Sequence, residues 1–289
     1  MRMWSTQIEE ILKTLNSVKD VDKSYIDSLS DVITTQGYCD VCKAPSDFLV
    51  TPAPIPENWI NYNEGLICSG CGLNARLRNI FDLWREIRIK RKPKSSLILE
   101  RVTPLFALMQ SEQPELIGCE FLGPEHEAGQ DYPFGSMTVR HENFLSLSME
   151  DESIDLLLHF DVLEHVPDFK AALDEAYRVL RPGGATLFTL PFYPALENNV
   201  IRAFLSESGD LTHIEPPAFH GNPVSGEGAL VFFVPGREFI ADVAKAGFSC
   251  QICLTLDPAS AVVSNGCPYE DGKAWPIAFL AEKPISFSG

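Results

Sequence analysis

The stretch IDLLLHFDVLEHVPDFKAALDEAYRVLRPGGATLFTLPF, Ile154 to Phe192, decides the fold. Ile154 to Phe160 is a short apolar run without regular polar alternation, as expected of a strand covered on both faces. Asp161 to Asp168 breaks the run with polar residues and Pro167. Phe169, Ala172, Leu173, Ala176, Val179 and Leu180 then recur at three- and four-residue spacing, one face of a helix. Arg181-Pro182-Gly183-Gly184 ends that helix, with a cation in its last turn and glycine able to take positive φ. Ala185 to Leu190 is a second apolar run. Strand, helix and strand in one unit predict a right-handed parallel crossover.

The wording is more specific than the pattern. DVLEHVPD followed by RVLRPGG resembles the core of class I S-adenosylmethionine (SAM) dependent methyltransferases, with Ile154–Phe160 as the fourth strand and Ala185–Leu190 as the fifth. A generic crossover of a nucleotide-binding protein is the plainer alternative. The resemblance implies an α/β, Rossmann-like sheet of parallel strands closed by a C-terminal antiparallel hairpin, for which Cys250–Leu256 and Pro276–Glu282 are the candidates. It also implies SAM as cofactor. Ser96–Glu100 is the expected first strand, followed by Glu100-Arg101-Val102-Thr103-Pro104 where the family usually carries a glycine-rich loop. Val102 and Pro104 stand where glycines are common, and Glu100, Val102 and Thr103 are the loop residues expected at the cofactor. Glu120, ending the second strand Leu116–Phe121, stands where a family acid accepts hydrogen bonds from both ribose hydroxyls, a task suited to a group with acceptors and no donors. A surface glutamate at a strand end is the alternative. Phe121 is placed against the adenine. Asn143 stands where aspartate commonly takes the adenine amino group, which its carbonyl can also do, and Phe144 flanks the ring. Phe160 and Asp161 complete the set.

Composition narrows the remaining classes. The 289 residues suffice for one large domain plus a small module. No apolar run is long enough for a membrane span, and MRMWSTQIEE lacks the apolar core of a signal peptide, so a cytoplasmic protein is expected. The net charge of −17 is uneven, +1 over residues 1–94 and −18 over 95–289. The acidic part repels polyphosphate and argues against a nucleic-acid footprint there. Arg76 to Lys94 is the local exception, with eight basic residues against Asp82 and Glu86.

Eight cysteines in a cytosolic chain point to metal or free thiols rather than disulfides. Cys39-x-x-Cys42 and Cys68-x-x-Cys71 have the zinc-ribbon pattern, in which two hairpin turns each present two thiolates and close a tetrahedron. Four cysteines leave no open coordination position, so the expected zinc is structural. A redox pair is the alternative, but it needs no second CxxC. EGLICSGCGLNARLRNIFDLW resembles a bacterial group of methyltransferases in which a knuckle ending CxxCG precedes an Arg-rich helix and the SAM domain. Cys250-x-x-Cys253 lies in a strand-like run with no second pair and reads as structural; Cys119 and Cys267 read as free thiols.

The expected organisation is a helical segment 1–38, read as one or two amphipathic helices, with a capping box of Thr6 and Glu9 and a weaker pattern from Val21 to Ile33. A zinc-ribbon module 39–73 and a methyltransferase domain 74–289 follow. Asn74–Lys92 reads as a helix with Leu77, Ile80, Phe81, Trp84 and Ile87 inward and its arginines elsewhere. Residues 193–235 are too long for an idle connection and read as a substrate insertion or lid. Asp161, His165, Tyr193, His213 and His220 are the candidates for acting on the acceptor, with His220 and His165 the catalytic choices because an imidazole titrates in the right range. The function expected is methyl transfer from SAM to a small molecule such as a sugar, glycan or secondary metabolite. The alternatives are an RNA methyltransferase gripping its substrate through the zinc module and helix 76–94, and a non-catalytic binding module. The oligomeric state is not legible.

Overall fold

The structure, a computed structural model, describes residues 1–51, 60–206, 208–266 and 274–285. The expected free thiol at Cys267 lies outside the described residues. The chain divides into two compact units, one from 1–92, 192–195 and 251–278, the other from 93–191, 196–250 and 279–289. The first thus gathers the expected segments 1–38 and 39–73 with the helix that follows them.

The second unit is built on the crossover. Ile154–Phe160 and Leu180–Thr189 pair in parallel, joined by the helix Phe169–Val179. That helix starts where the Asp168 carboxylate accepts the N–H groups of Lys170 and Ala171, satisfying two of the donors a helix start leaves open. Its buried stripe is Phe169, Ala172, Leu173, Ala176 and Val179. Pairing begins again at Leu180, so Arg181 to Gly184 form a bulge inside the fifth strand rather than a turn before it. Arg181 reaches back to Asp155 Oδ1 at 2.9 Å, while Asp155 Oδ2 takes the N–H groups of Lys94 and Ser95. Seven consecutive strands of the sheet are, in order, Ile277–Glu282, Leu180–Thr189, Ile154–Phe160, Ser96–Ile98, Ile117–Glu120, Met137–His141 and Asp131–Phe134. The middle five are parallel and the outer two antiparallel. This is the Rossmann-like, mostly parallel sheet that the crossover predicts. Leu156, Leu157 and Leu158 are fully buried, each stabilising the fold by about 1.5–3 kcal/mol.

In the first unit, Arg2–Ser5 is a strand, pairing antiparallel with Ile252 to Thr255, where a helix start was expected. Four residues are too few for periodicity to identify, and their partner lies some 250 positions away in the chain. Of the one or two helices expected, the structure has one, Ile8–Asp27, without a side-chain cap; Ser5 Oγ, not Thr6, organises its start by accepting from Gln7 N and donating to Glu10. Thr34–Cys39, Ala44–Val50 and Leu66–Cys68 form a three-stranded antiparallel sheet. The helix Ala75–Arg91 is capped by Asn74, whose Oδ1 accepts from Leu77 N at 2.8 Å, and ends at Lys92 in the left-handed region. Arg78 is not on its solvent face. It is 2% exposed, stacks on Phe48, and donates to the carbonyls of Leu66, Leu73, Ser260 and Ala261. Arg85 likewise donates to the carbonyls of Asp40 and Val41. The basic run therefore spends two of its arginines on internal carbonyls. No helix among the described residues is long and apolar enough to cross a membrane.

Candidate active site

Chain order reverses between Ser96–Ile98 and Ile154–Phe160: from the first strand the sheet grows one way, and from the fourth the other way. Open α/β sheets place ligands outside the carboxyl ends of the strands at such a point. The residues delivered there are Leu99–Thr103, Glu120–Phe121 and Asp161–His165.

Glu120 is 8% exposed, and its Oε1 accepts the N–H groups of Arg101 and Val102 at 2.8 and 3.0 Å. Burial raises its carboxyl above the usual range and the two N–H bonds partly oppose that. The glycine-poor loop is therefore closed by this carboxylate, which explains how residues with side chains hold the tight path. Oε2 has no protein partner among the described residues. Thr103 Oγ1 accepts from Phe106 N and caps the helix Pro104–Glu112. Phe121 is half exposed, its ring 5.4 Å from that of His141. Glu100 and Val102 are partly exposed on the loop. Asn143 Oδ1 accepts from Leu145 N at 3.0 Å, leaving its amide nitrogen and a second lone pair. Phe144 and Phe160 are buried, Phe144 edge-on to His159. Asp161 follows the fourth strand at φ 53, held by its N–H to Thr189 O and by Thr189 Oγ1 donating to its Oδ1. Loop, Glu120 and Asp161 thus share one end of the sheet. A carboxylate oxygen without a partner beside an exposed aromatic ring suits a ribose diol and an adenine, so the residues present fit the implied cofactor.

His165 and His220, 55 positions apart, come together around a residue not singled out above. The 3₁₀ turn Leu163–His165 buries Glu164 completely. Phe232 N donates to Glu164 O at 2.7 Å, and His165 Nδ1 lies 2.9 Å from Leu230 O. Both contacts fix the insertion's hairpin, Phe219–His220 with Ala229–Leu230, over the turn. Gly228, at φ +81, lets it close: a Cβ there would meet His220 O at 2.8 Å. His220 Nδ1 then lies 3.5 Å and His165 Nε2 3.6 Å from Glu164 Oε1. Burial raises the Glu164 carboxyl, as does the charge of Asp161. His213 stands apart, exposed on a second hairpin opposite Ala203. Pro167, Phe169, Ala203, Phe204, Phe232 and Phe233 line a cavity of about 200 Å³ next to the same turn. The signal for Glu164 in the sequence was its place beside His165 in the motif DVLEHVPD.

The four expected cysteine ligands also converge. Cys39 Sγ lies 3.8 Å from Cys71 Sγ, and Cys42 Sγ 3.9 Å from Cys68 Sγ. A tetrahedral ion with metal–sulfur bonds of about 2.3 Å puts its sulfurs about 3.8 Å apart. The N–H groups of Cys42 and Gly70 point at the sulfurs of Cys39 and Cys68. Gly70 leaves room for them, since a Cβ would meet Cys42 Sγ at 2.9 Å. These residues fit a zinc ion. Burial raises the thiols of Cys250 and Cys253 to about 12, and Cys119 is a free, buried thiol.

Comparison with known proteins bears on the same end of the sheet. Residues 116–188 match the family model of a methyltransferase domain. The match begins after the glycine-poor loop and spans the second to fifth strands. A Mycolicibacterium smegmatis protein named "Probable S-adenosylmethionine-dependent methyltransferase" is 42% identical over 53 residues, 18% of this chain and 21% of that protein. A demethylmenaquinone methyltransferase of Oceanobacillus iheyensis is 30% identical over 86 residues, 28% of this chain and 36% of that one. The chain thus spans about a fifth and about a third of these curated relatives. Among solved structures, an S-adenosylmethionine-dependent methyltransferase from Mesorhizobium loti aligns at TM-score 0.41 and 14% identity, over 69% of this chain and 96% of that one. Residues 116–188 therefore carry the sequence of a methyltransferase domain on a Rossmann-like sheet.

Proposed function

We propose that this protein transfers the methyl group of SAM to a small-molecule acceptor. The observation that carries the reading is Glu120: a buried carboxylate at the end of the second strand, beside the switch point, with one oxygen organising the loop and the other left over. It lies inside the stretch that matches a methyltransferase domain. Glu120 Oε2 would accept from the ribose hydroxyls, Phe121 would lie along the adenine, Asn143 would meet its amino group, and the loop of Glu100, Val102 and Thr103 would bound the cofactor's tail. Phe144, Phe160 and Asp161 hold the floor and the strand end. When bound, SAM would supply an electrophilic methyl for the acceptor's nucleophile, with S-adenosylhomocysteine and the acceptor's proton released. The chain mainly positions the two partners and excludes water. Glu164, His165 and His220 face the acceptor, and the cavity beside them takes its apolar part.

A sugar, glycan or secondary metabolite is the acceptor class. The net −18 of residues 95–289 and the burial of Arg78 disfavour RNA. Zinc at Cys39, Cys42, Cys68 and Cys71 is structural, and the free thiols elsewhere suit a cytoplasmic location. The test is to denature the freshly purified protein and identify by mass spectrometry what it releases. SAM or S-adenosylhomocysteine, lost in Glu120→Gln, is the expected result. A folded protein that carries neither, and takes up neither when supplied, overturns the reading.

A further inference from the structure

We propose that Glu164, His165 and His220 bind one divalent transition-metal cation, through Glu164 Oε1, His165 Nε2 and His220 Nδ1. The first reason is the protonation of His165. Its Nδ1 lies 2.9 Å from the Leu230 carbonyl oxygen, which only accepts, so Nδ1 carries the hydrogen. In the neutral form of that ring Nε2 carries the lone pair, and Nε2 faces Glu164 Oε1. Metal-ligating histidines are held in this way, with the far N–H donated to a backbone carbonyl.

The second reason is Glu164 itself. Its side chain is 1% exposed, neither oxygen has a hydrogen bond, and among the described residues no lysine or arginine pairs with it. A buried carboxylate with no lysine or arginine beside it is costly: burial and the charge of Asp161 oppose ionisation, and His220 and His165 offset this. The third reason is spacing. Separations of 3.5 and 3.6 Å are long for hydrogen bonds, which cluster at about 2.9 Å. Two ligands at about 2.1 Å from one ion lie about 3.0–3.4 Å apart, so a slight inward movement of the side chains completes the site. The His165 and His220 rings stand perpendicular with centroids 5.1 Å apart, an edge-to-face contact that holds both beside Glu164.

One carboxylate and two imidazoles suit zinc, manganese, iron(II) or cobalt, not a soft monovalent ion. Three protein ligands leave coordination positions free, and His220, 43% exposed, borders solvent. On the methyltransferase reading, and resting on it, those positions hold the acceptor through an oxygen, which narrows the acceptor class to hydroxyl compounds. The ion site itself does not depend on that reading.

The experiment titrates the full-length protein with Mn²⁺ alone and follows the free-ion signal by electron paramagnetic resonance. Mn²⁺ is chosen because thiolates compete for it poorly. The expected result is saturable uptake of one Mn²⁺ per chain, weakened at least about tenfold in Glu164→Gln and His220→Ala and unchanged in His213→Ala. Circular dichroism checks that each variant is folded; if Glu164→Gln is not, the exposed His220 variant decides. No saturable uptake at millimolar Mn²⁺, or uptake that survives the loss of His220, overturns the proposal and returns the cluster to a proton-sharing role. No SAM is present in this titration. Mn²⁺ uptake without S-adenosylhomocysteine binding sinks only the methyltransferase reading, and the reverse sinks only the ion site.

Discussion

Replacing His159 by phenylalanine should remove a specific acid sensitivity from the fold. His159 sits in the central strand at 0% exposure, stacked on Phe188 at 4.7 Å and edge-on to Phe144 at 4.9 Å. Neither ring nitrogen has a hydrogen-bond partner. Burial therefore pushes its pKa from 6.5 down to about 3. The unfolded chain binds a proton at this position below about pH 6.5 and the folded chain does not, so stability falls as pH falls from about 6.5 towards about 3. At pH 5.0 this linkage costs about 2 kcal/mol, and at pH 7.5 about 0.1 kcal/mol or less. The His159→Phe variant keeps an aromatic ring in the stack and has nothing to protonate. Equilibrium urea unfolding of both proteins at the two pH values supplies the measurement. The advantage of the variant should grow by about 2 kcal/mol on going from pH 7.5 to 5.0. Taking that difference cancels the contributions of other titrating groups and any change in packing. A gap that stays the same within about 0.5 kcal/mol would mean that His159 is protonated in the folded protein or exposed to water, and the burial argument would be wrong.

Two further outcomes are expected. Metal analysis of protein purified without added zinc should find about one zinc per chain, and none in a Cys68→Ser/Cys71→Ser variant, whose first unit should lose cooperative unfolding because binding and folding are coupled. Arg78→Met should destabilise the protein by about 3 kcal/mol or more, since four buried carbonyls lose their donor; Arg78→Lys should recover only part of this, because an ammonium cannot reach four acceptors in a fork, and denaturation curves that coincide with wild type would refute the buried role.

What was legible in the sequence was local or fully buried. Ile154–Phe160 and Phe169–Val179 could be placed because an unbroken apolar run and a three- and four-residue stripe each declare their period. The hairpin Asp131–Phe134 with Met137–His141 was not anticipated, because its exposed strands carry little apolar alternation. Arg2–Ser5 and Arg78 were misread for a different reason: each is defined by partners near residue 255 or 260, and no window of sequence contains both sides. The site divides in the same way. The motif carried His165, and residue type alone carried His220. Glu164, which brings the two histidines together, depends on a 3₁₀ turn that points a charge inward against its usual preference.

The most direct test of the central claim is calorimetric titration of the purified full-length protein with S-adenosylhomocysteine, comparing wild type with Glu120→Gln. Glutamine keeps an oxygen to accept the N–H groups of Arg101 and Val102 but replaces the free acceptor by a donor, so the loop survives and the ribose contact does not. The account predicts one site per chain in the wild type, and binding weaker by about 1.5–3 kcal/mol in the variant with its melting behaviour little changed. Equal affinity in the two proteins, or no heat of binding in a folded wild type, would contradict it.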